Sequence, residues 1–255
     1  MDTSLIQSLA IAATVGMASG AIGAFIILRR MALVGDALSH VALPGIAVAL
    51  AWEIDPFWGV AVFLLGAAFL IWWLEGKTRL YTDAIVGLLF TTSLALGVIF
   101  IPDAELLESL FGEFPHFSSL VFFVVIIAAL AAVALVFVFT ERFLFAIVSP
   151  ELARISDRKR IGDLILLLIF SFTVALGIKL AGTLLMGALT VIPAVIAKNT
   201  ARSTVGYIVM SVFLGGIISF GGALLALRAG FLPGPTIILI GAALFLLSLI
   251  FVKRS

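Results

Sequence analysis

Cysteine is absent from the 255 residues, which excludes disulfides, thiolate metal sites and cysteine nucleophiles. Charge is also scarce: Asp, Glu, Lys and Arg make up 11% of the chain, where a soluble domain carries about a quarter. Histidine occurs twice, too seldom for a three-His catalytic zinc site, and no H-E-x-x-H run exists. A formal net charge of +1 lacks the clustered excess of Lys and Arg that nucleic-acid binding needs, so no such partner is expected. Long polar stretches are missing too. The longest, Pro102 to Ser118 and Ser149 to Gly162, run to roughly 15 residues each, too short for a soluble domain.

What is present is apolar sequence, at 64% of the residues. A membrane-crossing helix needs about 17 to 25 mostly apolar residues. Nine such segments stand between charged, Pro and Gly punctuation: Leu5 to Leu28, Met31 to Trp52, Phe57 to Leu74, Ala84 to Ile101, Ser119 to Thr140, Asp163 to Ile178, Gly182 to Ala197, Val205 to Leu227 and Pro235 to Val252. The sixth and seventh are short and separated only by Lys179, Leu180 and Ala181. The start, Met1-Asp2-Thr3-Ser4, lacks the basic residues of a signal peptide, so the first apolar run is read as a span. The fold class is therefore all-α: a polytopic transmembrane bundle of about nine spans, forming one transmembrane domain over residues 1–255.

Orientation follows from the cations, which accumulate on the cytoplasmic side. With the N-terminus outside, thirteen of the fifteen Lys and Arg residues fall inside, leaving only Lys179 and Arg228 outside. The outer loops then collect Asp2, Glu53, Asp55, Asp103, Glu105, Glu108 and Glu113. Small residues recur at Gly16, Gly20 and Gly23, and at Gly215, Gly216, Gly221 and Gly222. That spacing permits close helix approach, either within one chain or at a dimer seam.

Ionisable residues inside a span cost about 2.5 to 3.5 kcal/mol each at the helix centre, so those that persist there have a use. The second span keeps Asp36 and His40, at i and i+4, which stacks a carboxylate and an imidazole on one helix face. One oxygen and one nitrogen donor suit zinc, manganese or iron(II). Pro44 has no N–H for the His40 carbonyl, so Pro44-Gly45 is expected to loosen the helix beside the pair. Pro193 could open a second irregular point beside the Leu189 carbonyl, or make a plain kink. The competing reading of Asp36 and His40 is a buried ion pair that ties helices together. Thr82 and Asp83 read as an N-cap of the fourth span. His116 lies in the acidic outer loop, where a solvated histidine is the default.

Two other motifs lead nowhere. Gly76-Lys77-Thr78 resembles the end of a phosphate-binding loop, but that loop needs glycine at position 71, where Ile71 stands. The Y-D and G-x-G-D pair of membrane aspartyl proteases is not matched by Tyr81-Thr82-Asp83 or Leu33-Val34-Gly35-Asp36. The chain is expected not to be an enzyme and to bind no cofactor.

Arg29-Arg30-Met31-Ala32-Leu33 followed by Gly35-Asp36-Ala37-Leu38-Ser39-His40-Val41-Ala42-Leu43-Pro44-Gly45 resembles the signature of permeases from ABC-type zinc, manganese and iron(II) importers. Leu110-Phe111-Gly112, Ser149-Pro150-Glu151-Leu152-Ala153, Ala181-Gly182-Thr183-Leu184-Leu185, Ile192-Pro193-Ala194 and Leu232-Pro233-Gly234-Pro235 agree in order along nearly the whole chain. The resemblance implies a multi-pass permease of the cell membrane that carries zinc, or next manganese, past Asp36 and His40. It implies as partners a second copy of the chain, a cytoplasmic ATPase dimer and an extracytoplasmic metal-binding protein. The ATPase-coupling helix would occupy residues 149–162, with Ser149, Pro150, Glu151, Ala153, Asp157 and Arg158 at the contact. Asp157 stands where members often have Gly, and Glu113 where Asp is expected after Phe-Gly. A secondary, proton-coupled metal carrier is the alternative; such carriers often show inverted repeats, and none is evident here.

Overall fold

Membrane-spanning backbone must satisfy its own hydrogen bonds, and helices do so within one segment. The computed structural model describes residues 3–78, 82–113, 118–148 and 158–251, and among them ten α-helices and one 3-10 turn account for the regular structure. These are α1 Thr3–Leu28, α2 Ala32–Ala51, α3 Pro56–Lys77, α4 Thr82–Phe100, α5 Asp103–Phe111, α6 Ser119–Val148, α7 Arg158–Ala181, α8 Thr183–Thr200, α9 Thr204–Ala229 and α10 Pro233–Ser248, followed by the turn Leu249–Phe251. Seven helices are long and apolar enough to cross a membrane; α8 and α10 are shorter apolar helices. Each of the nine apolar segments read from the sequence corresponds to one of these helices.

Alternating direction sorts the helix ends into two groups. Arg29, Lys77, Arg142, Arg160 and Lys198 gather at a basic end, and Glu53, Asp55, Glu105, Glu108 and Glu113 at an acidic end. The helices differ sharply in burial. α1, α2 and α7 bury 72%, 78% and 72% of their most apolar windows, whereas α4 and α6 each bury 22%. The first three form the inner layer and the last two present apolar side chains outward, as lipid contact requires. α2 lies against α3, α4 and α8. Its flanking turns are tight, with Arg30 at φ 58 and Glu53 at φ 56 in the left-handed region that non-glycine residues seldom adopt.

Close backbone approach holds α9 against α1. A side chain on Gly16 would strike the Gly215 carbonyl, and one on Gly20 the Ser211 carbonyl. Ser211 Oγ donates to the Gly20 carbonyl (2.6 Å), and the Tyr207 hydroxyl to the Ala24 carbonyl (3.0 Å). The glycine spacing of α1 therefore serves packing onto α9 within one chain.

Several expectations are corrected here. Lys179, Leu180 and Ala181 do not separate two helices. They complete α7, and the break is Gly182 alone, at φ 77. α6 continues past Thr140 to Val148 because Phe143 turns inward onto Phe25, at 5.1 Å between ring centres. The polar stretch after Pro102 contains α5, ended by Gly112 at φ 74. Thr82 does not cap α4; its hydroxyl donates to Glu75 (3.0 Å), which joins α4 to the end of α3.

Candidate functional site

Asp36 and His40 sit one turn apart on α2, and their surroundings differ. The neighbours Gly35, Ala37, Leu38 and Ser39 are buried, and so is His40, at 3% exposure, while Asp36 is exposed. The His40 ring meets the edge of Phe90 of α4, with centres 5.0 Å apart and planes at 77°. Among the described residues, His40 Nδ1 is buried without a hydrogen-bond partner. Buried polar atoms are nearly always partnered, so an unspent imidazole nitrogen beside an exposed carboxylate is free to ligate. The nearby Ser39 hydroxyl is already committed, donating to the Gly35 carbonyl (3.0 Å).

Pro44 does not break α2, which runs unbroken from Ala32 to Ala51. The expected loosening is confined to one missing N–H at the His40 carbonyl. Gly45 has a packing role: a methyl group there would lie 2.5 Å from the Gly59 carbonyl oxygen of α3. Pro193 likewise lies inside a continuous α8. That helix reaches the site through Gly187, which lies against Asp36.

A cleft of about 190 Å³ opens at the acidic end, lined by Ile46 and Leu50 of α2, Phe57 of α3, Glu105 and Glu108 of α5, and Glu113. Ile46 is six residues beyond His40, roughly 9 Å along a helix axis. Lys179 also lines the cleft and pairs with Asp55 at 3.7 Å. Among the described residues no group of three or more His, Asp or Glu side chains could hold a metal ion.

At the basic end, Arg29 is ion-paired with Asp163, with side chains only 8% and 15% exposed. Burial draws the Arg29 guanidinium down to about 10, with Glu75 pulling the other way. The Arg160 guanidinium stacks on Trp72 at 4.6 Å, and Trp72 Nε1 donates to the Arg160 carbonyl (2.8 Å). These contacts fasten the start of α7 to α1 and α3. His116 and residues 149–157, including Ser149, Pro150, Glu151, Ala153 and Asp157, lie outside the described residues. Arg158 opens α7.

Two features escaped the sequence reading. The Arg29–Asp163 pair joins residues far apart in sequence, and only its charged residues at the edges of apolar runs hinted at it. The α5 helix could have been found from Pro102 ahead of acidic residues and Gly112 after them.

Residues 1–252 match the ABC 3 transport family. The chain is 29% identical over 235 residues to the high-affinity zinc uptake system membrane protein ZnuB of Haemophilus influenzae, covering 89% of this chain and 90% of that one. It is 30% identical over 262 residues to the manganese transport system membrane protein MntC of Listeria monocytogenes, covering 100% and 93%. The fold superposes on PsaBC from Streptococcus pneumoniae in complex with Fab with a TM-score of 0.83 and 30% identity, over 97% of this chain and 91% of that one.

Proposed function

The chain belongs to the ABC 3 transport family, an integral membrane permease, and we propose that it carries a divalent transition metal, zinc first and manganese second, into the cytoplasm. The observation that carries this reading is the α2 pair: exposed Asp36 and, one turn on, buried His40 with an unspent Nδ1. Relatives named for zinc and for manganese uptake support the cargo class. One carboxylate and one neutral imidazole per chain bind such an ion weakly enough to release it, as conduction requires. The carboxylates of the acidic cleft favour entry of a cation from that end.

In this reading nine helices cross the membrane, with the acidic end outside and the basic end in the cytoplasm. A second copy completes the passage. An extracytoplasmic binding protein delivers the ion, and a cytoplasmic ATPase dimer drives the cycle through residues 149–162. The chain itself performs no hydrolysis, since it lacks a phosphate-binding loop.

The test compares Asp36→Asn, His40→Gln and the double variant in the assembled complex. A transport role predicts normal insertion and thermal stability, loss of zinc and manganese uptake, and no recovery in the double variant. A structural ion pair predicts single variants destabilised by about 3 to 5 kcal/mol and partial recovery when both are replaced. Uptake that continues in a stable double variant, or that needs no ATP, overturns the reading.

A further inference from the structure

Two residues that carry no ligating side-chain atom bracket the α2 pair, one of them by its absence of bulk. Gly187 of α8 lies so close to α2 that a methyl group on it would stand 2.8 Å from both Cα and Oδ1 of Asp36 and 3.2 Å from Cβ. The clash with Oδ1 could be relieved by rotation. The clash with Cα is against backbone, and only a shift of α2 or α8 would relieve it. α8 has little freedom to give way. A methyl group on Gly23 of α1 would strike its Thr190 carbonyl, so α8 is held against α1 at backbone distance. From α4, the Phe90 ring meets His40 edge to face at 77° and 5.0 Å, a favourable arrangement that restricts how the imidazole turns.

We propose that Gly187 and Phe90 are positioning residues for the transported ion: Gly187 fixes how near the Asp36 carboxylate stands to α8, and Phe90 fixes the orientation of the His40 imidazole. The proposal rests on the reading of Asp36 and His40 as metal contacts. A carboxylate oxygen and an imidazole nitrogen must both come within about 2.0 to 2.2 Å of a zinc ion. A displacement of either donor therefore weakens binding before it affects the later steps of transport.

The test uses the complete transporter in proteoliposomes, with zinc and manganese as separate probes. Gly187→Ala, Phe90→Ala, Phe90→Tyr and Asp36→Asn are compared with Gly66→Ala, a position where a methyl group meets nothing within 4 Å. For each metal the wild type transports, Gly187→Ala and Phe90→Ala should raise KM by roughly 10- to 100-fold, the scale of an ångström-sized misplacement. Maximal rate should stay near that of Gly66→Ala, as should the thermal midpoint of the Phe90 variants, whereas Gly187→Ala should lower its midpoint because a helix must shift; Phe90→Tyr should restore KM. If Gly187→Ala fails to insert, the Phe90 pair decides the matter. Unchanged KM in Phe90→Ala, or loss of KM and stability together without recovery in Phe90→Tyr, overturns the proposal. Lost uptake in Asp36→Asn alongside that result leaves the function reading standing; unchanged uptake in Asp36→Asn removes both.

Discussion

Arg29, just beyond the last turn of α1, is ion-paired with Asp163 in the second turn of α7, although 134 positions separate them. Among the described residues, Nε and Nη2 of Arg29 are buried with no hydrogen-bond partner, so within them the pair is incompletely satisfied. A buried pair of this kind contributes little net stability, yet losing one member is costly because the other is left charged and alone. Its consequence is mechanical: it ties the start of α7 to the end of α1.

Asp163→Leu alone should lower the stability of the solubilised chain by about 3 to 5 kcal/mol. Arg29→Met with Asp163→Leu should recover most of that loss. Thermal unfolding in detergent measures both, and a double variant no better than the single one would argue against the pair as a unit.

Along the α1–α9 seam the cost should depend on backbone distance more than on hydrogen bonds. Tyr207→Phe removes the bond to the Ala24 carbonyl and should cost about 0.6 to 1.7 kcal/mol, the range for interhelical bonds in membranes. Gly20→Leu places bulk against the Ser211 carbonyl and should prevent accumulation of the inserted chain. Comparing expression and thermal midpoints of the two variants checks the order.

Topology can be tested cleanly because the chain has no cysteine. Glu108→Cys should react with an impermeant thiol reagent added outside intact cells, and Ser255→Cys should react only after permeabilisation. The reverse pattern would invert the orientation.

For the ATPase contact, charge reversal at Arg158 and Lys159 should lower ATPase co-purification and uptake while leaving insertion intact. Arg160 is better kept, since its guanidinium is engaged by Trp72 of α3. Trp72→Leu should instead loosen α3 from α7 without weakening ATPase binding. Unchanged co-purification in the Arg158 and Lys159 variant would exclude the segment as the docking site.

The apolar segments were readable because lipid leaves a chain little choice but helices. The α2 pair was readable because two ionisable groups at i and i+4 in an apolar run stand out against their cost. Layering was not: α6 and α7 are both rich in Leu, Ile and Phe, yet one faces outward and the other inward, and apolar content cannot distinguish lipid from protein neighbours. The glycines of α1 favoured packing within one chain over a dimer seam, and their partners, Ser211 and Gly215 of α9 and Thr190 of α8, bear that out. The separation of α7 from α8 was misplaced because one glycine in the left-handed region, Gly182, ends a helix as effectively as a charged loop. Gly187 and Phe90 carried no sequence signal, since each matters only through what it touches.

Gly112 and Gly182 close two helices, α5 and α7, with nearly the same dihedrals, φ 74 and ψ 167 against φ 77 and ψ 165. A side chain on Gly112 would strike the Leu180 carbonyl and one on Gly182 the Leu110 carbonyl, while one on Gly234 would lie 2.5 Å from the carbonyl oxygens of both Phe111 and Ala181. Three stretches made at different times during synthesis thus meet through bare backbone. The first two helix ends can dock once α7 is complete, but the third wall arrives only with Pro233 and Gly234 at the start of α10. Biogenesis therefore has a built-in last step: until α10 is made, the Phe111 and Ala181 carbonyls of this corner lack the backbone that covers them in the finished chain.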